Sequence, residues 1–256
     1  MSLDPSQWVD SVEAFRRDML TARGLDPAIA AQPGVTVVPE ASRAGSRIAS
    51  GYVYGSHFAI FADPDVASSL AEFDPGSFEA DSAEPLDRFA AFVTDAGAEI
   101  LGQGAMRVLQ GESPSPVDGV AVVDATIDAD VARIQALVDA CTEEEVDDAA
   151  IEMDELDPVI RCVEAEPGGQ LIGYASAFPD EDFGGRWDIG VLTHPDHRRK
   201  GLGARSVQRL VADLVADGQV PIYRHDLDNA GSAALSTALG FVVATRLLAA
   251  RFPESD

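Results

Sequence analysis

Thr193-His194-Pro195-Asp196-His197-Arg198-Arg199-Lys200-Gly201-Leu202-Gly203 is a short basic loop, rich in glycine, that leads into an apolar-periodic helix. Five of the chain's 18 basic residues, Arg198, Arg199, Lys200, Arg205 and Arg209, fall in this loop and the helix's first turns. Cations at a helix N-terminus oppose the helix dipole and do not help the helix form. A bound anion would offset that cost, because exposed N–H groups, glycines and cations together make a phosphate cradle.

On either side of the loop the pattern is regular. Val120–Asp124 predicts a strand, and Asp128–Cys141 a helix, with Val131, Ile134, Leu137, Val138 and Cys141 at spacings of three and four. Thr142 and Glu145 form a capping-box start to a second helix. Strands are predicted at Val159–Glu164 and Leu171–Phe178, joined by the turn Glu166-Pro167-Gly168-Gly169, and again at Trp187–Leu192. The helix after the loop carries Val207, Leu210, Val211, Leu214 and Val215 on one stripe. Strand Val220–Tyr223 follows, then a short helix from Asn229 that stops at Gly240, and a last strand Phe241–Arg251. The order is β-α-α-β-β-β-α-β-α-β.

The N-terminal part predicts a helix over 6–21, with Trp8, Val9, Val12, Phe15 and Leu20 as its apolar set. Strands are expected at Val35–Val38, Ile48–Tyr54 and His57–Phe61, helices at Pro64–Phe73 and Pro85–Ala96, and a strand near Met106–Leu109. His57 reads as structural. The run Gly111-Glu112-Ser113-Pro114-Ser115-Pro116-Val117-Asp118 has linker composition, which places a domain boundary between 115 and 116. The fold class is α/β (α+β), with a smaller α/β N-terminal domain over 1–115 and the main domain over 116–256.

Composition narrows the partners. The 256 residues carry a net charge of −26. Such a field repels nucleic acid and anionic membranes, so neither is an expected partner. No apolar run is long enough to span a bilayer, and no signal-peptide pattern opens the chain. The cysteines, Cys141 and Cys162, read as reduced core thiols, and no cluster suggests a metal, so a cytoplasmic location is expected. Lys200 is the only lysine. Abundant Asp and Glu with almost no lysine looks like a salt-accumulating halophile; a GC-rich genome that favours arginine codons is the alternative.

The element order, with a basic glycine loop after the fourth strand of the main domain, resembles the GNAT (GCN5-related N-acetyltransferase) superfamily. The family's Gln/Arg-x-x-Gly-x-Gly/Ala motif corresponds to Arg198-Arg199-Lys200-Gly201-Leu202-Gly203, preceded by Val191-Leu192-Thr193-His194-Pro195. A second signature, Asn followed by a short helix ending in Gly-Phe, appears as Asn229 through Gly240-Phe241. The resemblance covers about 118 to 256 and extends to a prokaryotic subgroup with an extra N-terminal region. It implies a mixed central sheet, flanking helices and splayed fourth and fifth strands. It also implies acetyl-CoA as cofactor, and transfer of an acetyl group to a primary amine of a small molecule or protein. By resemblance, the N–H groups from about Arg199 to Ala204, through Gly201, Leu202 and Gly203, bind the pyrophosphate. Arg198, Arg199 and Lys200 supply charge, Val191 and Thr193 pair with the pantetheine arm, and Val191 N–H serves as oxyanion donor. Asn229, Ser232 and Ser236 share one face of the short helix and are expected at the cofactor, although that face could equally be a solvent face.

Catalysis by direct attack needs alignment, a base for the ammonium and an oxyanion donor. By resemblance Asp188, near where several relatives carry a fourth-strand acid, is the leading base candidate, with Glu164, His194, His197 and His225 behind it. Many relatives place a proton-donating Tyr where this chain has Ser236; Tyr223 is a substitute candidate, and a half-buried strand tyrosine is its plainer reading. Arg224 is read either as a contact for an acidic substrate group or as a partner of a surface carboxylate. A non-catalytic acyl-CoA-binding module is the competing class. A nucleotide-binding Rossmann domain is disfavoured, because the loop follows a fourth strand and no GxGxxG is present. The N-terminal domain is read as a degenerate GNAT-like half, a homodimer surface or a wall of the acceptor site.

Overall fold

A computed structural model describes residues 11–254. In chain order the elements are α1 (Val12–Ala22), β1 (Gly34–Pro39), β2 (Ile48–Tyr54), β3 (His57–Ala62), α2 (Pro64–Ala67), α3 (Glu84–Asp95) and β4 (Glu99–Leu109). Then come β5 (Ala121–Val123), α4 (Asp128–Val138), α5 (Glu143–Asp148), β6 (Val159–Glu164), β7 (Leu171–Asp180) and β8 (Arg186–Thr193). The chain finishes with α6 (Leu202–Ala216), β9 (Pro221–Asp226), α7 (Ala230–Ala238) and β10 (Phe241–Arg251). From β5 onward the order is the one read from the sequence. Residues 6–10 of the expected first helix, with Trp8 and Val9, lie outside the described residues.

Among the described residues the chain groups into two compact units. One holds Ser11, Val108–Arg224 and Ala230–Val242; the other holds Val12–Arg107, His225–Asn229 and 243–254. This grouping differs from a single cut between 115 and 116. The reason lies in β10, which runs antiparallel to β2 with Arg246 opposite Val53 and Arg251 opposite Ile48. Leu248, Ala250 and Phe252 thereby join a buried cluster with Phe58, Ile60, Leu86 and Phe89.

In that second unit β3 is antiparallel to β2 and parallel to β1. Gly51 is obligatory on β2, since a Cβ there would stand 2.5 Å from the Phe58 ring and 2.9 Å from Phe89. Two expectations shift. The helix expected over 64–73 is α2 followed by a 3-10 turn at Ser68–Glu72, where Ser69 Oγ donates back to Val66 O. The short strand expected near 106–109 begins at Glu99. Gly102 and Gly104 look like breakers, but a Cβ on Gly104 would come within 3.2 Å of His225 O, so a glycine there serves close strand approach. His57 is structural: its ring bridges Thr36 Oγ1 at 2.9 Å and Gln32 O at 3.1 Å.

In the first unit β5, β6, β7 and β8 form consecutive antiparallel pairs, and β9 joins β8 in parallel. Alternation along the strands gives the sheet two apolar faces. On one, Val207, Leu210, Val211 and Leu214 of α6 meet Ala175, Ala177 and Ile189. On the other, Ile134 and Leu137 of α4 meet Ile160, Cys162, Tyr174 and Leu192. Glycines set the helix distances. A Cβ on Gly173 would meet Leu202 and Ser206 Oγ at 3.2 Å, and one on Gly190 would stand 2.1 Å from Ala149 O. The capping box is present, with Glu145 N–H donating to Thr142 Oγ1 at 3.3 Å and Thr142 N–H donating to Glu145 Oε2 at 3.0 Å.

Candidate active site

The site starts from where β8 and β9 part. Their ladder pairs Trp187 with Pro221 and Asp188 with Ile222, while β8 continues to Thr193. Trp187 N–H donates to Val220 O at 2.8 Å, so it points toward β9. N–H directions alternate along a strand. Those of Ile189, Val191 and Thr193 therefore point the same way, whereas His194 N–H turns to the β7 side and donates to Ile172 O at 3.2 Å. Beyond Asp188 the backbone edge of Val191 and Thr193 faces a side with no ladder partner among the described residues. The splay implied by the resemblance is present.

At the open end the chain turns into α6. Arg199 (φ 60°) and Gly201 (φ 73°) are both left-handed. Gly201 is the N-cap; no side chain caps α6, and its first turn holds no acidic residue. The N–H groups over Leu202, Gly203 and Ala204 are thus the start of an uncapped helix. The two motif glycines serve different ends. Gly201 supplies a backbone conformation that L-residues rarely adopt. Gly203 is buried, and a Cβ there would stand 2.9 Å from Thr193 Oγ1 and 3.3 Å from Val191 Cγ2. Gly203 thereby lets α6 pack on β8.

The island of cations divides. Arg205 donates to Asp118 O at 2.8 Å, and Arg209 pairs with Asp213 at 2.9 Å, so both serve the fold. Lys200 Nζ folds back on Asp196 O at 3.0 Å, and Arg199 is exposed. Arg198 Nη1 lies 2.6 Å from Glu145 Oε1, and its Nε donates to Thr193 O at 3.3 Å. The Arg198 guanidinium in turn lowers the pKa of the Glu145 carboxyl.

Asp188 stands where the strands begin to part. Its side chain is 4% exposed and lies 2.8 Å from Nη2 of Arg224, which is 42% exposed. Burial pushes its pKa from 3.8 up to about 6, against the pull of Arg224 and with the help of the Asp180 and Asp157 carboxylates. Ile189 N–H donates to Asp188 Oδ1 at 3.0 Å and fixes its orientation. The Arg224 guanidinium also lies 5.9 Å from the Phe183 ring centroid. A buried carboxylate with a raised pKa, beside a half-exposed guanidinium at the mouth of a strand opening, is suited to take a proton from an ammonium group.

The remaining candidates separate. Glu164 is committed to Arg133 and to Gly168 N–H at 3.0 Å. His194 Nδ1 accepts from Asp196 N–H at 3.3 Å, a turn-capping contact. His197 packs edge-on against the His194 ring at 5.4 Å. His225 accepts from Arg107 Nε at 2.9 Å, and burial lowers its pKa. Tyr223 is fully buried, not half-buried. It neighbours Arg224 on β9 and so points to the opposite face, among Leu210, Val211 and Phe241, with 1% exposure. Ser236 is corrected as well. It is buried, and its Oγ donates to Ser232 O at 2.8 Å and Ala233 O at 3.1 Å, which spends its proton inside α7. Leu235 of α7 reaches toward Gly203, so the helix presents an apolar side chain there. Ser232 lies in the first turn of α7, and Asn229 just precedes that helix, its N–H donating to Asp226 O at 3.1 Å. Sequence reasoning missed Gly190, Glu145 and Phe183 as parts of the site's frame. For Glu145, the capping-box signal masked a second role.

Residues 131–241 match the model of the acetyltransferase (GNAT) family. The match covers less than half of the chain, and the likeness to the GNAT family is that of this stretch. The L-amino acid N-acyltransferase MnaT of Escherichia coli (strain K12) is 33% identical over 87 residues, covering 32% of this chain and 51% of that protein. The chain thus spans about half the length of that curated relative. Among solved structures, a putative GNAT-family acetyltransferase from Novosphingobium aromaticivorans is 22% identical, covers 62% of this chain and 69% of its own, and has a TM-score of 0.45. A putative acetyltransferase from Salmonella typhimurium, solved with its cofactor acetyl-CoA, is 22% identical, covers 54% of this chain and 95% of its own, and has a TM-score of 0.37.

Proposed function

We propose that this chain is an acetyl-CoA-dependent N-acyltransferase whose acceptor is the amine of an α-amino acid. One observation carries the reading. The opening between β8 and β9 has the uncapped start of α6 at one end and the Asp188–Arg224 pair at the other. The first end suits a pyrophosphate, because the start of α6 at Gly201 carries no side-chain cap and Arg199 stands exposed beside it. Ser232 is a further contact for the cofactor. When bound, acetyl-CoA supplies an activated thioester, so that an N–C bond can form as the C–S bond breaks.

The protein's own groups do the rest. Val191 N–H, turned toward the open side, is the donor for a developing oxyanion. Asp188 accepts the ammonium proton, and its raised pKa makes it a better acceptor by ~3 kcal/mol than an ordinary carboxylate. Arg224 uses one Nη2 contact on Asp188 and is part-exposed, which leaves guanidinium donors for a substrate carboxylate. An α-amino acid carries ammonium and carboxylate on one carbon, matching a carboxylate and guanidinium 2.8 Å apart. The matched relative, an L-amino acid N-acyltransferase by name, supports the same acceptor class.

The buried Ser236 favours a second reading, an acyl-CoA-binding module without turnover, since its hydroxyl is bonded inside α7 and is not presented to a leaving thiolate. Thiol release from acetyl-CoA separates the two when run across L-amino acids and their decarboxylated amines, alongside calorimetry. The expected result is turnover with amino acids preferred by roughly tenfold or more in kcat/KM, a preference erased by Arg224→Ala. Heat of acetyl-CoA binding with no thiol release on any amine supports the module.

A further inference from the structure

Glu145 does two jobs with one carboxylate. Oε2 accepts Thr142 N–H at 3.0 Å and closes the capping box of α5, while Oε1 lies 2.6 Å from Arg198 Nη1. The first arginine of the loop is thereby tied to α5, and its charge is paired with a carboxylate. Cys141, the residue before the N-cap, lies against the same guanidinium. The side chains of Arg198 and Glu145 are 40% and 31% exposed, and ion pairs so open to water contribute little to stability. A charge-assisted bond from a guanidinium to a phosphate oxygen is stronger and can be bidentate.

We infer that Glu145 is a positioning residue that stores Arg198 against α5 and yields it to the pyrophosphate when acyl-CoA binds. The inference rests on the acyl-CoA reading above. The balance follows from the contacts. The bond lost on exchange is an exposed pair, the bond gained is to a polyanion, and Glu145 keeps its Oε2 contact with Thr142 throughout. In a chain of net charge −26, a tether that neutralises Arg198 against a carboxylate also lowers the field that attracts an anion. Glu145 therefore opposes binding through Arg198 in particular.

The test is a double-mutant cycle read by calorimetry with acetyl-CoA at physiological salt. Glu145→Gln retains a capping-box acceptor while removing the charge. It is expected to tighten acetyl-CoA by roughly two- to fivefold, the scale of an exposed ion pair. The same change made in an Arg198→Ala background should have no effect. Equal tightening in both backgrounds would mean simple charge repulsion, and weaker binding by Glu145→Gln would mean a structural strut; either overturns the inference. If wild-type protein binds acetyl-CoA but the cycle is flat, this inference fails alone. If wild-type protein shows no binding, both readings fall.

Discussion

Asp188 joins chemistry and stability in one residue. Its folded pKa, about 6, lies above the ordinary 3.8, so the folded state binds this proton more tightly than the unfolded chain does. The sign follows: protonated Asp188 costs nothing, and stability is lost as pH rises from about 4 through 6, reaching ~3 kcal/mol above that window. Asp188→Asn removes that cost, keeps an acceptor for Ile189 N–H, and leaves Arg224 part-exposed to water. The variant should melt at least as high as wild type at pH 7.5, with the gap about halved at pH 5; thermal melts at both values check this. A lower melting temperature for the variant at pH 7.5 would show that the Arg224 pair outweighs desolvation. The position of Asp188 was legible only through the resemblance, as the place near which several relatives carry a fourth-strand acid. Its partner was not, because Arg224 lies on a different strand and only the register with β9 brings the two together.

Loop and helix carry the second scale. The element order, the apolar stripe of α6, the hairpin at 166–169 and the capping box at Thr142 could all be read from periodicity and turn chemistry. The roles of the loop's side chains could not. Arg205 and Arg198 look equally available to an anion in sequence, yet their partners, Asp118 O and Glu145, come from distant elements, while Arg209 pairs with Asp213 one turn on in α6. The burial of Ser236 and Tyr223 escaped the sequence for a related reason: which face of a helix or strand is buried depends on what packs against it. The two loop glycines make separate predictions. Gly203→Ala should push α6 off β8, destabilise by roughly 1–3 kcal/mol and raise the KM for acetyl-CoA. Gly201→Ala should cost roughly 1–2 kcal/mol through its left-handed backbone, with no clash, since a Cβ there meets nothing within 4 Å. Chemical denaturation and steady-state kinetics on both variants check this; equal behaviour of the two would contradict the division of roles.

At the scale of the whole molecule, charge dominates. With 44 acidic and 18 basic residues the chain repels itself, and salt screens that repulsion. We expect the melting temperature to rise steeply from low salt to molar KCl; a flat response would remove the halophilic reading. The same field makes the uncapped start of α6, with Arg199 exposed beside it, an unusual place on this protein where a polyanion can dock. The most direct test of that account is acetyl-CoA-dependent acylation of an L-amino acid, followed as thiol release against pH for wild type and Asp188→Asn. The account predicts a wild-type rate that falls as pH drops below about 6, where Asp188 gains its proton, and a loss of at least roughly a hundredfold in the variant. A wild-type profile with no limb near that pH, or an Asp188→Asn enzyme as fast as wild type, would contradict it.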